Sequence, residues 1–340
     1  MRIGWTDIHP RKLRCAFRFR TAILIASALS CVPLAAQQPA APLDNAIRVD
    51  VNRVNVGVIV TDSKGNFVEG LQPANFQVFD NNQVQPISDF APIDAPAQVL
   101  LLLEAGPAVY LLQDSHLFVA QALLSGLSPD DRVAFVVYNK APTPVLDFTS
   151  DKRAVDSALN TIQFTLGYGD LNLASSLSTV LDWLTRVPGK KSVVLISTGV
   201  DTSPDQVQQS LVAGLQTADV RIFAVSMNAP FRNGKKGTRQ QIHQTEQAFA
   251  QADAWLNALA DASGGRAYFP ENPSAFQQTY HQIAELVRHE YSLAFAPPQS
   301  DGAVHSIDVK VITTGAASHD AVSAYTVDHR RAYIAPKPPQ

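Results

Sequence analysis

Val99-Leu100-Leu101-Leu102-Leu103-Glu104-Ala105-Gly106 is the stretch on which the fold turns. Five apolar residues in a row, closed by a carboxylate and small residues, fit a central parallel strand buried on both faces. Three further runs repeat the theme: Val133-Ala134-Phe135-Val136-Val137, Val193-Val194-Leu195-Ile196 and Ile222-Phe223-Ala224-Val225. Between and beyond them, residues 117–124, 152–162, 173–184, 207–216 and 241–261 carry apolar side chains at three- and four-residue spacing, the mark of helices with one buried face. A short strand over 266–269 and a helix over 274–290 follow. Phe223 and Phe269 are expected on buried strands, and Trp183 and Trp255 within helices as packing residues. The alternation predicts an α/β fold over residues 97–290: right-handed crossovers around a doubly wound, mostly parallel, Rossmann-like sheet.

Outward from this centre the period changes to two. Strands are predicted at 47–61, 75–80 and 83–90, with turns at Asp62-Ser63-Lys64-Gly65 and Asp80-Asn81-Asn82. Val68, Leu71, Phe76 and Val78 are the expected core there. After the last helix, 291–296, 304–312 and 323–327 read as strands again. Three strands alone are marginal. The N-terminal β segment, 47–92, and the C-terminal β segment, 291–334, are therefore expected to combine into one smaller β-sandwich-like unit with the α/β domain inserted between them. Residues 37–46 read as a linker and 335–340 as a disordered tail.

Residues 1–36 read as a signal peptide: Arg2, Arg11, Lys12, Arg14, Arg18 and Arg20 precede an apolar run over 21–32, and Ala35-Ala36 precede Gln37. Export to the periplasm, cell surface or medium follows as an expectation. The apolar run is short for a membrane span, and the mature chain has no transmembrane segment by this reading. Cys15 and Cys31 both fall in the leader, so the mature chain has no thiol chemistry, and Cys31 is a candidate for lipid anchoring. The 340 residues are 46% hydrophobic and 17% charged, which is ample for a buried core, and the net charge is -3. Without a concentrated basic face, nucleic acid is excluded as the main partner. The basic stretch over 232–239 contains Gly234 and Gly237 and reads as a solvated loop.

An open α/β sheet places its ligand site beyond the carboxyl ends of its strands. There, the loop at Glu104-Ala105-Gly106-Pro107-Ala108 and the loop at Ser197-Thr198-Gly199-Val200-Asp201 resemble those of the von Willebrand factor A-type domain. The flanking blocks extend the resemblance to the VWFA-related family of acidobacterial secreted proteins. They are Thr61-Asp62-x-x-Gly65, Gly70-Leu71 and Asn75-Phe76-x-Val78-Phe79 on one side. On the other are Leu286-Val287-Arg288-x-x-Tyr291-x-Leu293, Ile307-x-Val309-Lys310-Val311 and Arg331-x-Tyr333. The resemblance implies a binding or adhesion module with a metal-ion-dependent adhesion site built from Asp-x-Ser-x-Ser, a Thr and a second Asp. Glu104, Gly106, Ala108, Leu171 and Thr198 occupy those five positions, with Asp170 in place of Leu171 if the loop shifts by one. Mg²⁺ wants hard oxygens, and this set has lost most of them. The expectation is a degenerate site with no cofactor, in which weak Mg²⁺ or Mn²⁺ binding is not favoured. A protein partner would be held at a rim of Glu104, Pro107, Tyr168, Asp170 and Asp201.

Other constellations are weaker. His281, Glu285 and His289 fall four apart on the expected last helix, a pattern that would allow a zinc-dependent hydrolase but lacks His-Glu-x-x-His spacing. Asp114, Ser115 and His116 are adjacent, which does not make a triad. No Gly-x-Ser-x-Gly or phosphate-loop motif is present. Gly264-Gly265 is expected to turn the chain into the short strand. The sequence thus points to a non-catalytic binding module of unspecified partner and oligomeric state. Its alternatives are an envelope scaffold using the β segments and, least favoured, the zinc hydrolase.

Overall fold

The central layer is a six-stranded sheet of order β10-β9-β8-β5-β6-β7. Its parallel strands are β5 (Gln98–Glu104), β6 (Arg132–Tyr138), β8 (Lys191–Ser197), β9 (Arg221–Ser226) and β10 (Arg266–Tyr268). β7 (Pro142–Thr149) closes one edge antiparallel to β6. This computed structural model describes residues 53–106, 123–161, 169–229, 232, 238–312 and 325–337.

The apolar runs behave as a doubly buried sheet requires. Val99, Leu101 and Leu103 face one core with Val155 and Leu159 of α1 (Lys152–Leu159) and Tyr280 and Ile283 of α5 (Pro273–Leu286). Leu100 and Leu102 face the opposite core. There they meet Leu177 and Leu184 of α2 (Leu173–Leu184), Leu211 and Leu215 of α3 (Asp205–Leu215), and Leu256 and Leu259 of α4 (Arg239–Ser263). Each such buried leucine or isoleucine contributes about 1.5–3 kcal/mol. Trp183 and Trp255 pack against this second core, as expected.

The flanking segments make a sandwich. One sheet has the order β13-β1-β11-β4 and the other β14-β12-β2-β3. From the front of the chain come β1 (Val54–Thr61), β2 (Phe76–Asp80), β3 (Gln83–Gln85) and β4 (Asp89–Asp94). From the end come β11 (His289–Phe295), β12 (Val304–Val311), β13 (Thr326–His329) and β14 (Ala332–Ile334). The two sets interleave: β1 lies between β11 and β13, and β12 between β14 and β2. Val56, Val58, Leu293 and Phe295 of one sheet enclose a core with Phe76, Val78, Ile307 and Val309 of the other. Val68 and Leu71 cover its margin, and Tyr291 ties them down by donating to Val68 O (2.7 Å) and accepting from Leu71 N (3.2 Å).

Arginines join the sandwich to the central layer. Arg221, at the start of β9, donates to Gly57 O of β1 (3.2 Å), Asp328 O of β13 (3.3 Å) and Gly264 O, and pairs with Glu290 of β11. Arg266 donates to Thr61 Oγ1 (2.9 Å) and pairs with Asp328.

Several expectations are corrected. The stretch 83–90 is two strands, because Ser88 breaks away to bond Ala294 O. The helix expected to reach residue 290 ends at Leu286; from His289 the chain pairs with β4 and β1, and alternating burial at Tyr291, Leu293 and Phe295 outweighs helical continuation. Phe269 lies past β10 and is 37% exposed. Of the strand expected over 323–327, residues 326–327 fall in β13, which runs on to His329, and β14 follows it. Ala335 is buried and donates to Ala303 O (2.8 Å), while Pro336 O accepts from Gly302 N (3.2 Å), so the expected tail begins in an ordered turn. The expected leader with its Cys31, the expected linker and residues 117–122 lie outside the described residues.

Candidate functional site

Glu104 ends β5 in register with Tyr138 of β6, and Ser197 ends the neighbouring β8. Register therefore brings a carboxylate and two hydroxyls to one level at the carboxyl end of the sheet. Glu104 is fully buried. Its Oε2 accepts from Thr198 N (2.8 Å), Thr198 Oγ1 (2.8 Å) and Ser197 Oγ (3.0 Å). Tyr138 Oη lies 2.7 Å from Ser197 Oγ and 3.4 Å from the same carboxylate oxygen. Burial pushes the Glu104 carboxyl up, against the lowering effect of these donors. Burial, reinforced by the neighbouring Glu104 charge, raises the Tyr138 phenol well above its ordinary value. Glu104 Oε1 has no hydrogen-bond partner among the described residues.

The loop after β8 is anchored from beneath. Gly199 takes a φ of +76° and donates to Ser197 Oγ (2.8 Å), and Asn228 Nδ2 donates to Thr198 O (2.8 Å). The facing loop supplies Leu171. A Cβ built on Gly106 would come 2.9 Å from Leu171 Cδ2 and 3.3 Å from Glu104 Oε1. The leucine side chain thus occupies the space a residue larger than glycine would need beside the carboxylate.

Asp201 serves the backbone. Its Oδ1 accepts from Ser203 N (2.8 Å) and its Oδ2 from Ala174 N (3.0 Å) in the first turn of α2, where a carboxylate offsets unpaired amides and the helix dipole. Asn172 bonds both neighbours: its Nδ2 donates to Lys140 O (3.0 Å) and its Oδ1 accepts from Thr202 Oγ1 (3.0 Å). Asp170 is exposed, 4.0 Å from Lys140. The loops after β6, before α2 and after β8 are therefore laced into one preorganised rim.

Glu104 and Thr198 are hydrogen-bonded, and Gly106 lies between Glu104 and Leu171. Pro107, Ala108 and Tyr168 lie outside the described residues, as do Asp114, Ser115 and His116. Of the oxygens an octahedral hard cation would need, Glu104 Oε2 and Thr198 Oγ1 are bonded to each other and Asp201 is held by two amides, while Leu171 lies against Gly106 and Glu104 Oε1 is left open. No cluster of three or more His, Cys, Asp or Glu suited to a metal occurs among the described residues. The zinc trio is taken apart: His281 is exposed on α5, whereas His289 is on β11, where Nδ1 meets Glu285 O (2.9 Å). The expectation that His281, Glu285 and His289 share one helix face is corrected by the helix ending at Leu286. Tyr138 and Ser197 were not foreseen as partners of Glu104. The signal was faint, a polar-tipped residue at the end of each neighbouring apolar run.

Residues 117–282 match the family described as the von Willebrand factor type A domain. No curated protein matches the sequence. Among solved structures, a von Willebrand factor type A protein from Catenulispora acidiphila is 9% identical at a TM-score of 0.45, covering 85% of this chain and 75% of that one. An aerotolerance-related membrane protein from Bacteroides fragilis is 13% identical at 0.41, covering 56% and 100%. Proximal thread matrix protein 1 of the mussel byssus, with a zinc-occupied MIDAS motif, is 13% identical at 0.44, covering 61% and 50%. No helix among the described residues is long and apolar enough to cross a membrane.

Proposed function

With a von Willebrand factor type A domain matched over residues 117–282 as the premise, we propose that this chain is an exported, non-catalytic module that binds a protein partner at the carboxyl-end rim of its central sheet without a bridging metal ion. The family is one of interaction modules. The observation that carries the metal-free reading is the internal use of Glu104 Oε2, held by Ser197 and Thr198, with Leu171 packed against Gly106 where a serine would stand. The rim laced by Asn172 and Asp201 offers a preformed surface, with Asp170 and Tyr168 as its proposed contact residues. Export rests on the leader over residues 1–36.

Calorimetric titration with Mg²⁺ and Mn²⁺ tests the reading. The native protein is expected to give no binding heat. A variant carrying Glu104→Asp, Gly106→Ser, Ala108→Ser, Leu171→Thr and Thr198→Asp is expected to bind, because it restores hard oxygens and removes the leucine. Saturable binding by the native protein would overturn the metal-free reading.

A further inference from the structure

At the amino end of the central sheet, where β8 and β9 begin and meet β1 and β11, lies a cavity of about 250 Å³. Lys190, Lys191, Arg221 and Arg330 line it against only two carboxylates, Asp219 and Glu290. Two positive charges are left unbalanced there.

These cations differ in how far they are engaged. Both amino groups of Arg221 are engaged, by three carbonyls and Glu290. Lys191 donates to Gly189 O (3.0 Å) and pairs at 3.5 Å with the exposed Asp219. Lys190 Nζ is buried and its one acceptor, Glu290 Oε2 at 3.4 Å, is long, poorly aligned and already shared with Arg221. Arg330 donates one amino group to Asn55 O (2.6 Å), yet its Nε is buried and also lacks an acceptor. A buried donor left unmade costs about 1–3 kcal/mol, more when charged. An under-satisfied ammonium and an unbonded guanidinium N–H lining one cavity with surplus positive charge call for an acceptor from outside the chain.

We propose that this cavity binds a small dianion of the phosphate or dicarboxylate class, which accepts hydrogen bonds from Lys190 and Arg330. The attraction comes from side chains, since it is the carboxyl end of α3, not an amino end, that precedes this part of the wall. Lys190 also carries a signature of occupancy. Burial lowers its ammonium to about 8, with Glu290 and Asp131 opposing and Arg221 assisting that fall. Lys191, Asp219 and Arg330 are the other charged groups on the cavity wall. An added anion favours the charged form, so ligand entry near pH 8 takes up protons.

The test is calorimetry of the native protein with inorganic phosphate and with succinate at pH 8, in buffers of different ionisation enthalpy. One saturable site with proton uptake is expected. Lys190→Met and Arg330→Met should each weaken binding roughly tenfold or more, and Lys190→Arg should keep binding but lose the uptake. Preference for phosphate assigns the tetrahedral class, and preference for succinate the dicarboxylate class. Urea midpoints near native establish that the variants fold. The proposal is overturned if neither probe binds saturably, or if the Lys190→Met and Arg330→Met variants bind as the native protein does.

Discussion

Gly264 and Gly70 both sit at positive φ, +69° and +80°, but differ in what surrounds them. A Cβ on Gly70 meets nothing within 4 Å, whereas one on Gly264 runs into the backbone of His329 and Arg330. Gly70→Ala should cost only the left-handed penalty, about 1–2 kcal/mol. Gly264→Ala should cost about 3 kcal/mol or more, because sandwich and helix end must also part. Urea unfolding of the two variants checks the difference. His329 and His305 give the residue scale its pH dependence, with opposite signs. His329 is buried and neutral, accepting from Val309 N at Nε2 (3.1 Å), and burial lowers it to about 4. The unfolded chain binds its proton near the ordinary 6.5, so stability falls as pH drops from there toward about 4, by up to about 3 kcal/mol. For His305, burial acts downward but hydrogen bonds to Asp301 and Asp80 prevail and raise it. Its contribution is present below 6.5 and is lost as pH rises through the folded value. Stability curves should therefore flatten on the acid side in His329→Gln, and His305→Gln should lose more at pH 5 than at pH 8. Neither histidine stood out in the sequence, since Asp80 reaches His305, and Val309 reaches His329, only when the strands that carry them come together.

Among the elements, those with a strong local period were the legible ones. β5, β6, β8 and β9 are unbroken apolar runs, and α2 falls on the expected 173–184. β7 was missed because Pro142 and Pro144 argue against a strand; at the edge of a sheet a proline need not donate, and there the ladder tolerates them. The end of α5 was misplaced because Leu286 and Val287 continue its apolar stripe, and only pairing of β11 on both sides stops it. The same strand shows how elements are held together. Arg221→Met would strip Glu290 of one of its two cations and leave three carbonyls without their donor. A loss of about 3–5 kcal/mol is expected. Adding Glu290→Gln should recover part of it, and a double-mutant cycle by chemical denaturation measures that coupling.

For the molecule as a whole, the sequence conveyed that two marginal β segments would need each other, but not their interleaving. Strand order depends on which edges remain open after the central layer has closed the distance between residues 94 and 289, and no local pattern encodes that. The rim had the same split: Glu104 and Thr198 were placed by the ends of apolar runs, while their bonding to each other followed from the register of β5 against β8. Interleaving also sets a load path. The first and last described strands, β1 and β14, fall in the two sheets of one sandwich, so tension applied at them loads the ladders of β14 with β12 and of β13 with β1, and the Arg221 and Arg266 links, before it reaches the ladders of the inserted sheet. Stretched singly, the molecule should hold the insert slack until those ladders shear. It should then surrender the hidden length of residues 98–286, roughly 600 Å at about 3.3 Å per residue, in a later step than the sandwich. Under such a pull the sandwich acts as a clasp, and the rim above the central sheet keeps its shape until the clasp opens.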